Sequence, residues 1–492
     1  TEEGKDNLID SFIMIGTPQL GTPQAIGALL HGYNEGIPGG FIINASDMRA
    51  IAQNMPSAYN LLPSPRYFDK VSDPVITFDP NASFTEIWRN FWGPSINTHT
   101  NFSSFVTGTG VTRTRPAEDI LQVPEILNST FLTDAVNFHH TYDDYQFPAH
   151  IRVVQVAGWG IPTVKAIKYK MNHGIQGYDI DFTREGDKTV VYPSAISSVA
   201  DETYFFDLEK YRKDEDNSIQ HRDLLNAGPV QNILTSILEK EDIVENNFIL
   251  TAKPQVTNLN GELIVSTNSP VILGAYDQLG NFTGIDPNQN LSADVLTIKE
   301  DIPGSTFLFL YESQYVFLPK EGSYNFIYKG TGNGPTTVEI ENFSADITTP
   351  IATYTDIPTT LNTSATFTVE SVTPEDTVIT LDLNGNGGEE IISADGSTEL
   401  SLNELIALIK EKISTLIVKD KLKQNLLKQI SSLEKKIENK KQKNIKILAN
   451  LGKKISNQEI KGKISTADTV EIANILDILE AQAENMTFDS LI

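Results

Sequence analysis

The sequence predicts a multidomain chain: a three-layer α/β domain, incomplete on its N-terminal side and carrying a cap, then β-sandwich modules, then an α-helical bundle. Three observations lead there. A strand, a glycine turn and a helix follow one another at Phe12–Gly32 (FIMIGTPQLGTPQAIGALLHG), which is one step of an α/β wind. Near Asn247 the pattern changes to short runs of period-two hydrophobicity separated by turns. After Ser401 a Lys-rich stretch places apolar residues three and four apart.

Length and composition set the frame. The 492 residues suffice for about three domains. Hydrophobic residues make up 39% and aromatics 9%, enough for real cores. The net charge is −26, and residues 401–463 hold 16 Lys against 6 Asp and Glu, so the remainder carries −36. An acidic body of that size makes nucleic acid an unexpected partner. With no cysteine, disulfides, a cysteine nucleophile and thiolate metal sites are excluded. No apolar run of about 18 residues is present, so no membrane-spanning helix is expected. Thr1-Glu2-Glu3-Gly4 is not a signal peptide, and the N-terminus reads as cut.

In the first domain, Phe12–Ile15 is a buried strand closed by Gly16. Two Gly-Thr-Pro copies, Gly16-Thr17-Pro18 and Gly21-Thr22-Pro23, form the turn, with Thr22 expected as N-cap and Pro23 at the first helical position. A turn at residues 36–40 and a helix over Ala45–Met55 follow. Residues 66–147 lack α/β alternation and are rich in aromatics, which suits a cap. Within them, Ile87–Trp92 has a helical apolar face. Trp88, Phe91 and Trp92 read either as lipid contacts or as the cap's own core. Ile151–Ala157 is the next strand, ending at Gly158-Trp159-Gly160. Lys165–Phe182 reads as a hairpin turned at Asn172-His173-Gly174. Glu202–Leu208 is the last strand, Lys210–Ser218 a polar loop, and Val230–Leu238 an amphipathic helix.

Three phrases carry a resemblance. IGTPQLGTPQA is similar to the strand and loop after the nucleophile helix of lipase-like α/β-hydrolases. Gly186-Asp187-Lys188-Thr189-Val190 resembles their acid loop, which usually reads Gly-Asp-Gly-Thr-Val-Pro; Lys188 replaces a glycine, and Pro193 is displaced. His221-Arg222-Asp223-Leu224-Leu225, ahead of a helix, resembles their histidine loop. Together they resemble α/β-hydrolase lipases of the lecithin:cholesterol acyltransferase-like type. The resemblance implies Asp187 and His221 as triad acid and base, in a cleft lined by Gly16, Thr17, Pro18, Leu20, Gly158 and Trp159. A lysine beside the acid suggests a pairing of Lys188 with Asp187. The other six histidines read as surface or cap residues.

No Gly-x-Ser-x-Gly occurs anywhere, and a serine hydrolase of this type needs that elbow. The expectation is an incomplete α/β-hydrolase, truncated before its nucleophile and inactive alone. The complete protein would hydrolyse carboxylic esters of lipids or related substrates, or transfer their acyl groups, without a cofactor. The alternative of a different class is an extracellular binding or adhesion protein with a degenerate hydrolase domain.

The expected domains are 1–245 for the hydrolase part, 246–346 for a β-sandwich, 347–398 for a smaller β module and 399–492 for a helical bundle. The run SPVILGAYDQLGNFTG resembles modules of secreted bacterial proteins, which implies an extracellular setting and cell-surface contact through the C-terminal modules. Asp382, Asn384 and Asn386 have a spacing suited to Ca²⁺, although a plain Asn-Gly hairpin turn is the preferred reading.

Overall fold

The computed structural model describes residues 6–382 except 33–34, 38–40, 44, 112, 114, 117–119, 173–174, 255–260, 269, 290–296, 311–312 and 333, and beyond these mainly 390–392 and 418–437. The chain divides into two compact units. Residues 1–265, 276–322 and 341–350 form the first, and residues 266–275, 323–340 and 351–492 the second.

The first unit is built on a four-stranded sheet in the order Ser11–Ile15, Arg152–Trp159, Glu202–Asp207, Ile249–Leu250. The first three strands are parallel and the fourth is antiparallel. Parallel strands covered on both faces should be apolar throughout, and Arg152–Trp159 is buried at every position after Arg152. On one face, Val154, Val156, Tyr204 and Phe206 pack with Val230, Ile233 and Ile237 of the helix Gly228–Glu239. Other side chains of the same strands, Ala157 and Phe205, pack with Val190 and Ala195.

A second sheet joins the cap to the hairpin. Its order is Ser95–Ile96, Ile76–Phe78, Thr163–Asn172, Ile175–Thr183, with Ile76–Phe78 parallel to the first hairpin strand. Helices Pro65–Lys70, Glu86–Trp92, His99–Val106 and Ser129–Tyr142 complete the cap. The longest is capped by Asn128, whose side chain accepts from the backbone of Thr130 and Phe131. The cap core is aromatic: Trp88 lies 5.4 Å from Phe105 and 5.3 Å from Tyr169, both edge-on. Later residues belong to the same unit. Phe182 packs against Tyr315 and Phe317, and the Asp346 carboxylate accepts from Thr183 Oγ1 and Arg184 N.

Two local expectations give way. Thr22 is not an N-cap: the helix Gln24–His31 starts after Pro23, and Thr22 Oγ1 donates instead to the carbonyl of Thr189. Residues 208–214 are a helix rather than a loop, started by Asp207, whose carboxylate accepts from Lys210 N.

In the second unit, Val271–Tyr276, Ser323–Gly330, Ser364–Glu370, Ile379–Asp382 and Glu390–Ile392 are successive neighbours. Phe326 and Phe367 stack at 5.1 Å. The helix Asp420–Ile437 buries Leu426 and Ile430. Of the expected helical bundle, almost all of residues 399–417 and 438–492 lie outside the described residues, as do Asn384 and Asn386. Asp382 Oδ1 accepts from Gly385 N, closing a turn. Among the described residues no helix is long and apolar enough to cross a membrane.

Candidate active site

Three parallel strands end at one edge, and their exits build the site. Ser11–Ile15 runs into Gly16, which turns at φ +60° while its N–H is held by Val156 O at 2.8 Å. Arg152–Trp159 carries Gly158 directly beneath Asp187. Side chains fit at neither glycine: a Cβ at 158 would stand 2.6 Å from Asp187 Cβ, and one at 16 would stand 3.1 Å from Asp187 Oδ2 and 3.3 Å from His221 Nδ1. Space for a buried carboxylate and an imidazole is thus written into two glycines.

Asp187 is 1% exposed, and its acceptor capacity is used deliberately. Oδ1 accepts from Thr189 N at 3.1 Å and Val190 N at 2.8 Å. Oδ2 faces His221 Nδ1 at 2.8 Å. The His221 backbone N–H also donates to the Asp187 carbonyl at 3.0 Å, so the two loops are tied twice. A carboxylate only accepts, so Nδ1 carries the proton, and in the neutral ring Nε2 keeps its lone pair. Among the described residues nothing hydrogen-bonds Nε2, and 28% of the side-chain surface is open. Burial pushes the His221 pKa down, but the hydrogen bond and charge of Asp187 outweigh it, and the pKa lies above its ordinary value. The arrangement is a base oriented by a carboxylate, with its free nitrogen presented outward.

The Gly-Thr-Pro loop is stitched to the acid loop by two residues that lie inside the resembling phrases, to which the sequence assigned no role of their own. Ser194 Oγ donates to Gly21 O and accepts from Leu20 N. Gln19 donates to Ala195 O and accepts from Ser198 N and Oγ. Their sequence signal is membership of those phrases, Gln19 in IGTPQLGTPQA and Ser194 at the end of GDKTVVYPSA.

Lys188 does not pair with Asp187. It adopts φ +85°, which explains why a glycine suits this position, and its side chain runs to Glu300, with Nζ 3.0 Å from Oε1. Of the expected lining residues, Gly16 and Gly158 touch the pair, Thr17 is exposed and Pro18 half-buried. Leu20 is fully buried in the aromatic core and Trp159 is 1% exposed, so neither lines an open cleft. Trp88 and Trp92 are likewise buried in the cap core, so they offer no ring to a lipid; Phe91 and Ile87 remain exposed. Packing outcompetes exposure because these indoles have aromatic partners on several sides.

Two other histidines are core residues. His31 Nδ1 donates to Leu121 O and Nε2 accepts from Tyr169 O–H; burial drives its pKa down to about 3. His139 has Nδ1 2.7 Å from Asp143 Oδ1 and Nε2 2.9 Å from Asn60 O. Both its nitrogens meet acceptors, so it is held as an imidazolium. Ser64 donates to the same Asp143. Among the described residues no cluster could hold a metal ion.

Residues 1–203 match the family model of lecithin:cholesterol acyltransferase. A chain of the Tle4–Tli4 complex is similar over 38% of this chain and 44% of its own length, at 16% identity and a TM-score of 0.24, so this chain spans less than half of that one. No curated protein matches. The family match, which ends before His221, supports a lipase-like α/β-hydrolase of the lecithin:cholesterol acyltransferase type over residues 1–203.

Proposed function

We propose that Asp187 and His221 are the acid and general base of a serine-hydrolase site for carboxylic esters of lipids, with acyl transfer as the same chemistry ending on an alcohol. The observation that carries this reading is the free Nε2 of a histidine whose Nδ1 is anchored on a buried carboxylate. In such a site, Nε2 takes the proton of a serine hydroxyl as it attacks the ester carbonyl. Asp187 holds the tautomer and stabilises the imidazolium, and Nε2 then protonates the leaving alkoxide. The serine and its oxyanion donors come from sequence outside these residues. A water, or a second alcohol, deprotonated by the same Nε2 then releases the acyl group.

The test is p-nitrophenyl butyrate turnover by three proteins: this chain, a longer form that includes a Gly-x-Ser-x-Gly strand and helix, and that form with His221→Ala. Activity is expected only in the second. Turnover that survives His221→Ala in the longer form would place the chemistry elsewhere. A well-folded longer form without turnover would favour an extracellular binding protein.

A further inference from the structure

Beyond the residues of the pair, the segment Ile298–Thr306 grips both of its supports. On the acid side, the Glu300 carboxylate holds Lys188 Nζ, one residue after Asp187. On the base side, the other oxygen of Glu300 lies 3.4 Å from Arg212, which also donates to Ser305 O and Thr306 Oγ1. Asn217, four residues before His221, donates to the carbonyls of Glu300 and Ile302 and accepts from Gly304 N. Glu300 is further held by Phe307 N. Arg212 is buried, at 3% side-chain exposure, and Glu300 at 8% and Lys188 at 13% are largely shielded from solvent. One carboxylate thus serves two cations, and despite burial they hold its pKa below the ordinary range.

The clamp matters because of the backbone it holds. Lys188 is not a glycine, yet it sits at φ +85°, a conformation that L side chains rarely adopt. That left-handed turn brings Thr189 N and Val190 N back onto Asp187 Oδ1 and leaves Oδ2 aimed at His221. Lys188 N is also fixed, by Thr163 Oγ1 at 2.9 Å. A side chain in an unfavourable turn persists when its far end is anchored, and here the anchor is 112 residues away.

We infer that Glu300 is a positioning residue for the Asp187–His221 pair, acting through Lys188, so that the β segment after the hydrolase part is a working component of the site. The inference rests on reading Asp187 and His221 as the functional pair. It assigns to Glu300 a role that a glycine would make unnecessary: with glycine at 188 the left-handed turn is free of cost and needs no anchor.

The experiment is ¹⁵N-histidine NMR of this chain through a pH titration, following His221. Asp187→Asn should lower the His221 pKa and abolish its strongly deshielded Nδ1–H signal. If it does neither, the pair itself is wrong, whatever Glu300 does. Glu300→Gln should shift the His221 pKa in the same direction by less and broaden the Nδ1–H. In a Lys188→Gly background, Glu300→Gln should then change nothing at His221. Lys188→Met carries the first comparison if Glu300→Gln does not fold, with the same expected shift. Wild-type His221 signals in both Glu300→Gln and Lys188→Met overturn the inference. So does a Glu300→Gln shift that persists undiminished beside Lys188→Gly, since Glu300 would then act by some other route.

Discussion

Gly158→Ala should break the Asp187–His221 pair while leaving both residues in place in the sequence. The new Cβ would stand 2.6 Å from Asp187 Cβ and 2.8 Å from Leu208 Cδ1. Leu208 Cδ1 is the end of a side chain and can turn aside. Asp187 Cβ is fixed to the backbone, and ordinary contact begins at 3.4 Å, so Asp187 must retreat by about 0.8 Å. Taken along the bond to His221, that retreat stretches 2.8 Å to about 3.6 Å, beyond hydrogen-bond range. Overpacking of this kind costs roughly 1–3 kcal/mol. All three tryptophans lie in the first unit, so urea unfolding followed by tryptophan fluorescence reads that unit alone. Histidine NMR reads the pair, where the His221 pKa should fall and Nδ1–H should exchange with water. Gly228→Ala is the control, because a Cβ there meets nothing within 4 Å; it should be neutral or about 0.4–1 kcal/mol stabilising. A Gly158→Ala protein that unfolds at the wild-type urea concentration with unchanged His221 signals would refute the reasoning.

The buried histidines should give opposite pH dependences. His31 is depressed to about 3, so below its ordinary 6.5 the unfolded chain binds the extra proton, and stability falls by about 1.4 kcal/mol per pH unit as the medium is acidified. In His31→Asn this component of the slope, read from urea midpoints, should vanish. The His139 pKa is raised, since Asp143 and Asn60 together outweigh burial, so its stabilisation is full below 6.5 and lost as pH rises through the folded value. His139→Gln should therefore lie closer to wild type in alkaline than in mildly acidic urea titrations; a constant gap would count against the charged state. Trp88→Ala should cost about 3–5 kcal/mol in the same fluorescence assay and Phe91→Ala less than about 1, in keeping with a buried and an exposed ring.

How far the sequence reads depends on the range of the interaction. The strand, turn and helix at Phe12–Gly32 and the order of Asp187 and His221 are local patterns, and the structure brings those two residues together across 34 positions. The helix Leu208–Asp214 escapes because LEKYRKD offers only Leu208 and Tyr211 as an apolar face, too short a stripe to read as a helix; the Asp207 cap is the other signal. His31 escapes because a polar letter in a helix reads as surface, whereas its partners Leu121 and Tyr169 lie 90 and 138 positions away. Lys188 shows the limit most clearly. Its departure from glycine is visible in sequence, but Glu300, which makes the departure tolerable, belongs to a segment that periodicity assigns to a separate sandwich.

The Ser64, Asp143 and His139 cluster of the cap bears on how sites of this kind should be searched for. Any filter that asks for a serine, an aspartate and a histidine within bonding distance would accept it and would overlook the Asp187–His221 pair, which among the described residues has no serine bonded to it. Wiring separates the two. In the cap the hydroxyl donates its hydrogen bond to the carboxylate, and the imidazole spends its second nitrogen on a carbonyl, so no lone pair is left to accept a proton. Transplanting a longer hydroxyl side chain next to His139 would therefore yield a well-bonded but chemically idle ring. A search for latent hydrolases gains more from counting unspent nitrogens than from measuring three distances.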